Sequence, residues 1–182
     1  MTRLTVIAGP TAVGKGTVIK YILEHYPQVQ LSVSATTRAP RPGEIDGVSY
    51  HFLSMDQFDS NIANGQMLEY AVVHGVNKYG TLRGPVEDAI AHGKQMILEI
   101  DIQGARQVKQ AMPEANLIFI APPSWDELVS RLQGRGTESP EEQAKRLETA
   151  KLELAAQSEF DHVVINDSVA ECAQRIVELL QA

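Results

Sequence analysis

Near its start the chain runs from an apolar segment, Leu4–Ala8, through Gly9-Pro-Thr-Ala-Val-Gly-Lys15-Gly16-Thr17 into residues spaced as in a helix. Few folds accept that order. The apolar segment is short and unbroken, as a strand buried on both faces reads. A glycine-rich turn leading directly into a helix leaves several backbone N–H groups without partners. Glycines let such a loop curl so that these groups point inward, and the helix N-terminus adds positive partial charge. The result is a cradle for phosphate, with Lys15 placed to reach the β- and γ-phosphates of a nucleoside triphosphate. The candidate loop is Gly9, Pro10, Thr11, Ala12, Val13, Gly14, Lys15, Gly16 and Thr17. The bland alternative is a strand-to-helix turn with no ligand, and the lysine in this context argues against it. The strict pattern has Ser or Thr after the lysine, where this chain has Gly16. Glycine keeps the N–H but removes a direct hydroxyl ligand to magnesium. Mg2+ is therefore expected on phosphate oxygens and water, near Thr17 or Asp101, with no direct protein ligand assigned.

Further along, short aliphatic runs alternate with helical patterns, which predicts an α/β fold with a parallel sheet flanked by helices. The expected strands are Leu4–Ala8, Leu31–Ser34, Met96–Ile100, Leu117–Ile120 and Val163–Ile165. Helices are expected over Lys15–His25, Gln103–Ala111, Trp125–Leu132, Pro140–Ala156 and Val169–Leu180. Ser139-Pro-Glu-Glu142 and Ser168-Val-Ala-Glu171 both fit the capping box. Two stretches interrupt the alternation. Residues 35 to about 93 mix short elements, with helices near Asp56–Ala63 and Pro85–His92, and the stretch from about 133 opens on a polar connector, Gln133-Gly-Arg-Gly-Thr-Glu-Ser139. The expected organisation is one domain over 1–182: a core of about 1–34, 94–132 and 158–182, an insertion of about 35–93, and a lid of about 133–157.

Composition removes whole classes. With 182 residues, 43% hydrophobic, the chain can bury a core without disulfides. It is too apolar for disorder. No apolar run approaches a membrane span, and the first residues lack the layout of a signal peptide. A formal net charge of -7 argues against a general nucleic-acid partner. The single Cys172, set among apolar residues at helical spacing, reads as a small buried side chain. Its solitude fits a reducing cytoplasm. The five histidines form no close metal-binding cluster.

A second motif separates a nucleotide switch from a kinase. Ser32-Val-Ser34-Ala-Thr-Thr-Arg38-Ala-Pro-Arg41-Pro-Gly43-Glu44-Ile-Asp-Gly47-Val-Ser-Tyr50-His-Phe52 carries two arginines on a turn-rich loop. Such guanidiniums offer planar, bidentate donors to a phosphate dianion. This segment, with the loop at Lys15, resembles the signature of bacterial-type guanylate kinases within the P-loop nucleoside monophosphate kinases. The resemblance extends over nearly the whole chain. Adenylate kinases are similar in having Gly-Lys-Gly-Thr at the phosphate loop, so Gly16 is compatible with kinase chemistry.

The resemblance implies a P-loop NTPase core carrying a mixed α/β GMP-binding insertion and a short lid. It implies direct transfer of the γ-phosphoryl group of Mg·ATP to GMP, giving ADP and GDP. Ser34, Arg38, Arg41, Tyr50, Glu69, Tyr79, Thr81 and Asp101 match the family's GMP site. A carboxylate at Glu69 can accept from N1–H and the exocyclic amine of guanine together, and the hydroxyls of Ser34 and Thr81 can donate toward O6. Adenine offers neither donor to the carboxylate. Arg131, Arg135 and Arg146 match lid positions that close over ATP, and Asn166 matches a position near its adenine end. The implied catalytic set is Lys15, Arg38, Arg131, Arg135 and Arg146. The partners implied are GMP and ATP alone, with no nucleic acid, membrane or obligate protein. The rivals are a kinase acting on AMP or a phosphorylated sugar, and a guanylate-kinase-like scaffold module that binds peptides.

Overall fold

The computed structural model describes residues 4–73, 75–133 and 140–181. Its core is a five-stranded sheet with β1 (Thr5–Ala8) at the centre. The other strands are β2 (Val29–Leu31), β7 (Gln95–Glu99), β8 (Asn116–Ala121) and β9 (His162–Ile165). Their order is β2-β7-β1-β8-β9, and every neighbouring pair is parallel. All the strands therefore end on one edge, where the loops that leave them gather.

Strand periodicity divides the core between two faces. Ile7, Ile118 and Ile120 point toward α1 (Lys15–His25) and α7 (Val169–Gln181), packing with Val18, Ile22, Cys172 and Ile176. Val6, Ala8, Leu98 and Leu117 face the other way, against Ala105 and Val108 of α4 (Ile102–Ala111). Full burial of each large aliphatic side chain contributes about 1.5–3 kcal/mol. Two more helices lie on the α1 side: α5 (Trp125–Gln133), through Leu128 and Leu132, and α6 (Pro140–Ala155), through Ala150, Leu147 and Leu154. A 3₁₀ turn, Ala156–Glu159, then brings Phe160 edge-on to Phe119, with ring centroids 5.2 Å apart.

Between β2 and β7 the chain builds a second, mixed sheet of β3 (Ala35–Thr36), β4 (His51–Phe52), β5 (Met67–Val73) and β6 (Asn77–Leu82), ordered β4-β3-β6-β5. Helix α2 (Met55–Ala63) covers it, burying Phe58 against Ala35, Met67, Leu53, Ile62 and Leu82. Helix α3 (Arg83–Ala91) leads back to β7.

The sequence places the second strand at Leu31–Ser34, but it ends at Leu31. It is an edge strand with only Val29 buried, so burial leaves no continuous apolar run to read. Ser32 N–H makes the last bond, to Ile97 O at 2.9 Å, before the chain turns away. A capping box lies at Ser54–Gln57: Gln57 N–H donates to Ser54 Oγ at 3.1 Å and Ser54 N–H to Gln57 Oε1 at 2.8 Å. Of the two boxes read from sequence, Ser139 lies outside the described residues. At the other, Cys172 N–H donates to the Ser168 carbonyl at 2.9 Å, as α7 begins.

Cys172 is 1% exposed, and burial pushes its thiol pKa up to about 11. A thiol reagent at pH 8 is expected to label the native protein at least about 100-fold more slowly than the protein in denaturant. Rapid stoichiometric labelling under native conditions, followed by absorbance, would contradict this packing.

Candidate functional site

The loop leaving β1 is shaped by three backbone constraints. A Cβ at Gly9 would lie 2.3 Å from the Ile120 carbonyl oxygen, so β1 and β8 approach here only because residue 9 has no side chain. Gly14 takes a left-handed φ of 95° directly before α1, and its missing Cβ would meet Asn166 Nδ2 at 2.7 Å. Ala12 holds φ 61°, a conformation that costs a non-glycine residue about 1 kcal/mol or more. Such strain needs support, and the supports are visible. Asn166 is 3% exposed and donates from Nδ2 to the Val13 carbonyl at 2.8 Å. Arg131 donates to the same carbonyl at 3.2 Å, to Asn166 O at 3.5 Å and to Glu127 at 3.0 Å. Asn166 and Arg131 thus brace the loop from behind.

On the open side, Lys15 Nζ donates to the carbonyls of Gly9 at 2.7 Å and Pro10 at 3.3 Å. Burial lowers its pKa, while the carboxylates of Glu153, Glu99 and Asp101 work in the opposite direction. Glu153 also reaches across from α6 and accepts from Thr11 N–H at 3.0 Å. An acidic side chain therefore occupies a donor of the loop that could serve a phosphate oxygen. Gly16 and Thr17 are exposed. A Cβ at Gly16 would meet nothing nearer than Glu99 Oε1, at 3.9 Å.

Across the strand edge lies a cleft of about 390 Å³ lined by Ser34, Tyr50, Thr81 and Glu99 among others. Glu69 is buried at its margin, 8% exposed. Local geometry puts it there. A register shift between Met67 and Glu69 lets three consecutive β5 residues be buried, and it brings Glu69 opposite Thr81. Thr81 Oγ1 donates to Glu69 Oε1 at 2.7 Å. Two glycines make room: a Cβ at Gly104 would lie 3.1 Å from Glu69 Oε2, and one at Gly80 would lie 2.4 Å from Glu69 O. Burial raises the Glu69 pKa, the Thr81 bond opposes that, and Asp101 adds to it. Asp101 caps α4 by accepting from Gly104 N–H at 2.7 Å. Glu99 acts on Lys15 and lines the cleft, and Asp101 acts on both Lys15 and Glu69, so the two halves share one edge of the sheet.

Arg38 is paired end-on with Glu44, at 3.0 and 2.8 Å, and its guanidinium carbon lies 5.3 Å from the Tyr50 ring centroid. Tyr50 and Tyr79 meet edge-on with centroids 6.1 Å apart. Arg41 is exposed on the same loop. Thus Ser34, Arg38, Tyr50, Glu69, Tyr79 and Thr81 come together, while Arg131 and Asn166 lie with the other loop. Arg146 is half-buried on α6. Arg135 lies outside the described residues. Sequence reasoning did not single out Glu44, Glu99 or Glu153 for the site. Glu44 carried a signal, since it sits three residues from Arg41. Glu153 looks in sequence like one of several acids on an exposed helix, and only the packing of α6 aims it at Thr11.

No helix among the described residues is long and apolar enough to cross a membrane. The guanylate kinase family profile matches residues 1–182. A guanylate kinase of Leifsonia xyli is 62% identical over 98% of this chain and 70% of its own length. One from Nocardia farcinica is 54% identical over 97% and 92%. The crystal structure of guanylate kinase from Anaplasma phagocytophilum superposes with a TM-score of 0.71 at 33% identity, covering 98% of this chain and 84% of that one. A shikimate kinase from Bacteroides thetaiotaomicron, at 12% identity and a TM-score of 0.53 over 99% of each chain, shares the fold alone. The strand order, the glycine-built loop before α1 and these likenesses over nearly all of this chain agree: the chain belongs to the guanylate kinase family.

Proposed function

We propose that this chain carries out its family's reaction, phosphoryl transfer from ATP to GMP to give ADP and GDP, with the two substrates meeting at the carboxyl edge of the sheet. The observation that carries this reading is the buried Glu69 carboxylate, held by Thr81, which lines a cleft together with Glu99, a carboxylate that also acts on Lys15. A carboxylate kept out of water and half-satisfied has capacity for two more donors. The N1–H and amine edge of guanine supplies them. AMP would leave that carboxylate unpaired, and a site built around such donors rejects an analogue lacking them by about 10⁴–10⁵-fold. Ser34 completes the base pocket, and Arg38, Arg41, Tyr50 and Tyr79 take the acceptor phosphate.

On the donor side, the N–H groups of the Gly9–Thr17 loop cradle the ATP phosphates. Lys15 exchanges its bonds with the Gly9 and Pro10 carbonyls for phosphate oxygens. Thr11 N–H exchanges Glu153 for the terminal phosphate. Arg131, with Arg135 and Arg146, adds positive charge where the transferring group carries it, an effect worth about 10³–10⁵ in rate for a well-placed arginine. Asn166 serves ATP through the loop that it supports. Closure of the lid over about 133–157 onto the insertion, about 35–93, excludes water as a competing acceptor. The oxygen-rich surroundings of Lys15, with Glu99 and Asp101 facing it, suit an Mg2+ ion that keeps several waters and binds through phosphates. When bound, such an ion supplies charge neutralisation and alignment of the phosphates.

Coupled detection of ADP should show turnover that depends on GMP, and comparable rates with AMP would defeat the base-reading role of Glu69. Lys15→Ala should lower turnover by about 10²-fold or more while GMP binding by calorimetry persists. Unchanged turnover would remove Lys15 from the donor site. Glu69→Gln should raise the GMP requirement yet stabilise the free protein. The sign follows from the raised pKa: the folded state binds the proton more readily, so the cost of the charge is absent in acid and grows as pH rises past the ordinary carboxylate range. Urea unfolding should show the variant more stable at pH 7.5 and the gap closing near pH 4.5. An equal gap at both values would exclude the carboxylate's charge as the cause.

A further inference from the structure

Arg41-Pro42-Gly43-Glu44 forms a tight turn. Glu44 N–H donates to the Arg41 carbonyl at 3.0 Å, and Gly43 at the third position has φ 88°, the pattern of a type II turn with proline second. The turn folds Glu44 back onto the two arginines that precede it on this loop, Arg38 and Arg41. Its Oε2 accepts from Arg41 N–H at 2.7 Å, and its two oxygens take Nη1 and Nη2 of Arg38 at 3.0 and 2.8 Å. The second hydrogen on Nη1 goes to the Ala39 carbonyl at 2.8 Å. The pair is largely enclosed, with Arg38 13% and Glu44 21% exposed, and Arg38 lies against the rings of Tyr50 and Phe52 at 5.3 and 5.9 Å. These bonds hold the Glu44 carboxyl below its ordinary pKa, so it is an anion wherever the protein works.

A guanidinium has five N–H donors in one plane. End-on pairing with Glu44 and the bond to Ala39 use the far end, leaving the Nε–Nη2 edge, on which Tyr79 also bears. A phosphate that displaces the Tyr79 hydroxyl there can be received bidentately without release of Glu44. Lysine could not divide its donors this way, because an ammonium presents no second planar edge. We infer that Glu44 is a positioning residue for the acceptor phosphate: it fixes the plane of Arg38 and the backbone of Arg41 so that the guanidinium is held against Tyr50, a lining residue of the cleft, before GMP arrives. The inference rests on the reading that Arg38 and Arg41 receive the phosphate of GMP. It adds a residue that touches neither base nor phosphate and acts through Arg38.

Calorimetric titration of GMP and of guanosine, which lacks the phosphate, tests it in wild type, E44Q, R38K and the double variant. E44Q keeps the shape of the side chain but removes the charge and one acceptor. It is expected to weaken GMP binding by about tenfold and leave guanosine binding within about twofold, a loss confined to the phosphate. In the R38K background, adding E44Q should cost little further, since the edge being positioned is already gone. GMP binding that is unchanged or tighter in E44Q would overturn the inference, the second by showing that Glu44 competes with the phosphate. Equal loss of GMP and guanosine would also overturn it, by showing that the residue only maintains the loop. Wild-type protein that binds GMP no better than guanosine would overturn the acceptor-phosphate reading itself, whatever E44Q does.

Discussion

Strand β1 is held on both sides, by β7 and by β8, and buried on both faces, and the rest of the molecule is arranged around its carboxyl end. There the chain passes so close to the Ile120 carbonyl that only glycine fits at position 9. The strained loop that follows would not persist alone. Asn166, from the end of β9, and Arg131, from α5, hold its Val13 carbonyl, so residues far apart in sequence fix a turn of a few residues. Parallel strands make this possible, because their ends converge on one edge where connecting loops can brace one another.

Electrostatics at that edge differ from the overall balance. The formal charge is -7, yet Lys15, Arg38, Arg41 and Arg131 converge on two neighbouring loops. In the free protein these loops are partly satisfied by the protein's own carboxylates: Glu153 on Thr11 N–H, Glu44 on Arg38. The two differ in kind. Glu153 comes from another helix and takes a donor that a phosphate would need. Glu44 comes from the same loop as its partner and leaves the Nε–Nη2 edge of the guanidinium to Tyr79 and an incoming anion. The donors of these loops are thus already oriented in the free protein, while the buried Glu69 is held by the Thr81 hydroxyl.

Much of this was legible from local pattern. The Lys15 loop, the helix Lys15–His25 and the central strands followed from continuous apolar runs and glycine spacing, because strands buried on both faces leave that mark. The edge strand β2 did not, since only Val29 is buried there. The second sheet escaped detail for a similar reason: its β3 and β4 are two residues long, too short to show a period. Family resemblance pointed to Glu69, but residue spacing alone could not bury it. The β5 register shift and the absence of side chains at Gly80 and Gly104 accomplish that.

By itself, the sequence determined the class of fold and the phosphate loop, since apolar patterning, Gly9 and Gly14 act over a few residues where local sterics dominate. It also placed two arginines and a carboxylate on one short loop, at Arg38, Arg41 and Glu44. Tertiary structure alone decided which groups face one another: Asn166 behind the loop rather than on its open side, Glu153 on Thr11, Glu69 against Thr81, and Glu99 with Asp101 between the two halves. Those hydrogen bonds join residues from 12 to 153 positions apart and are set by strand order and register, of which a one-dimensional pattern carries no record.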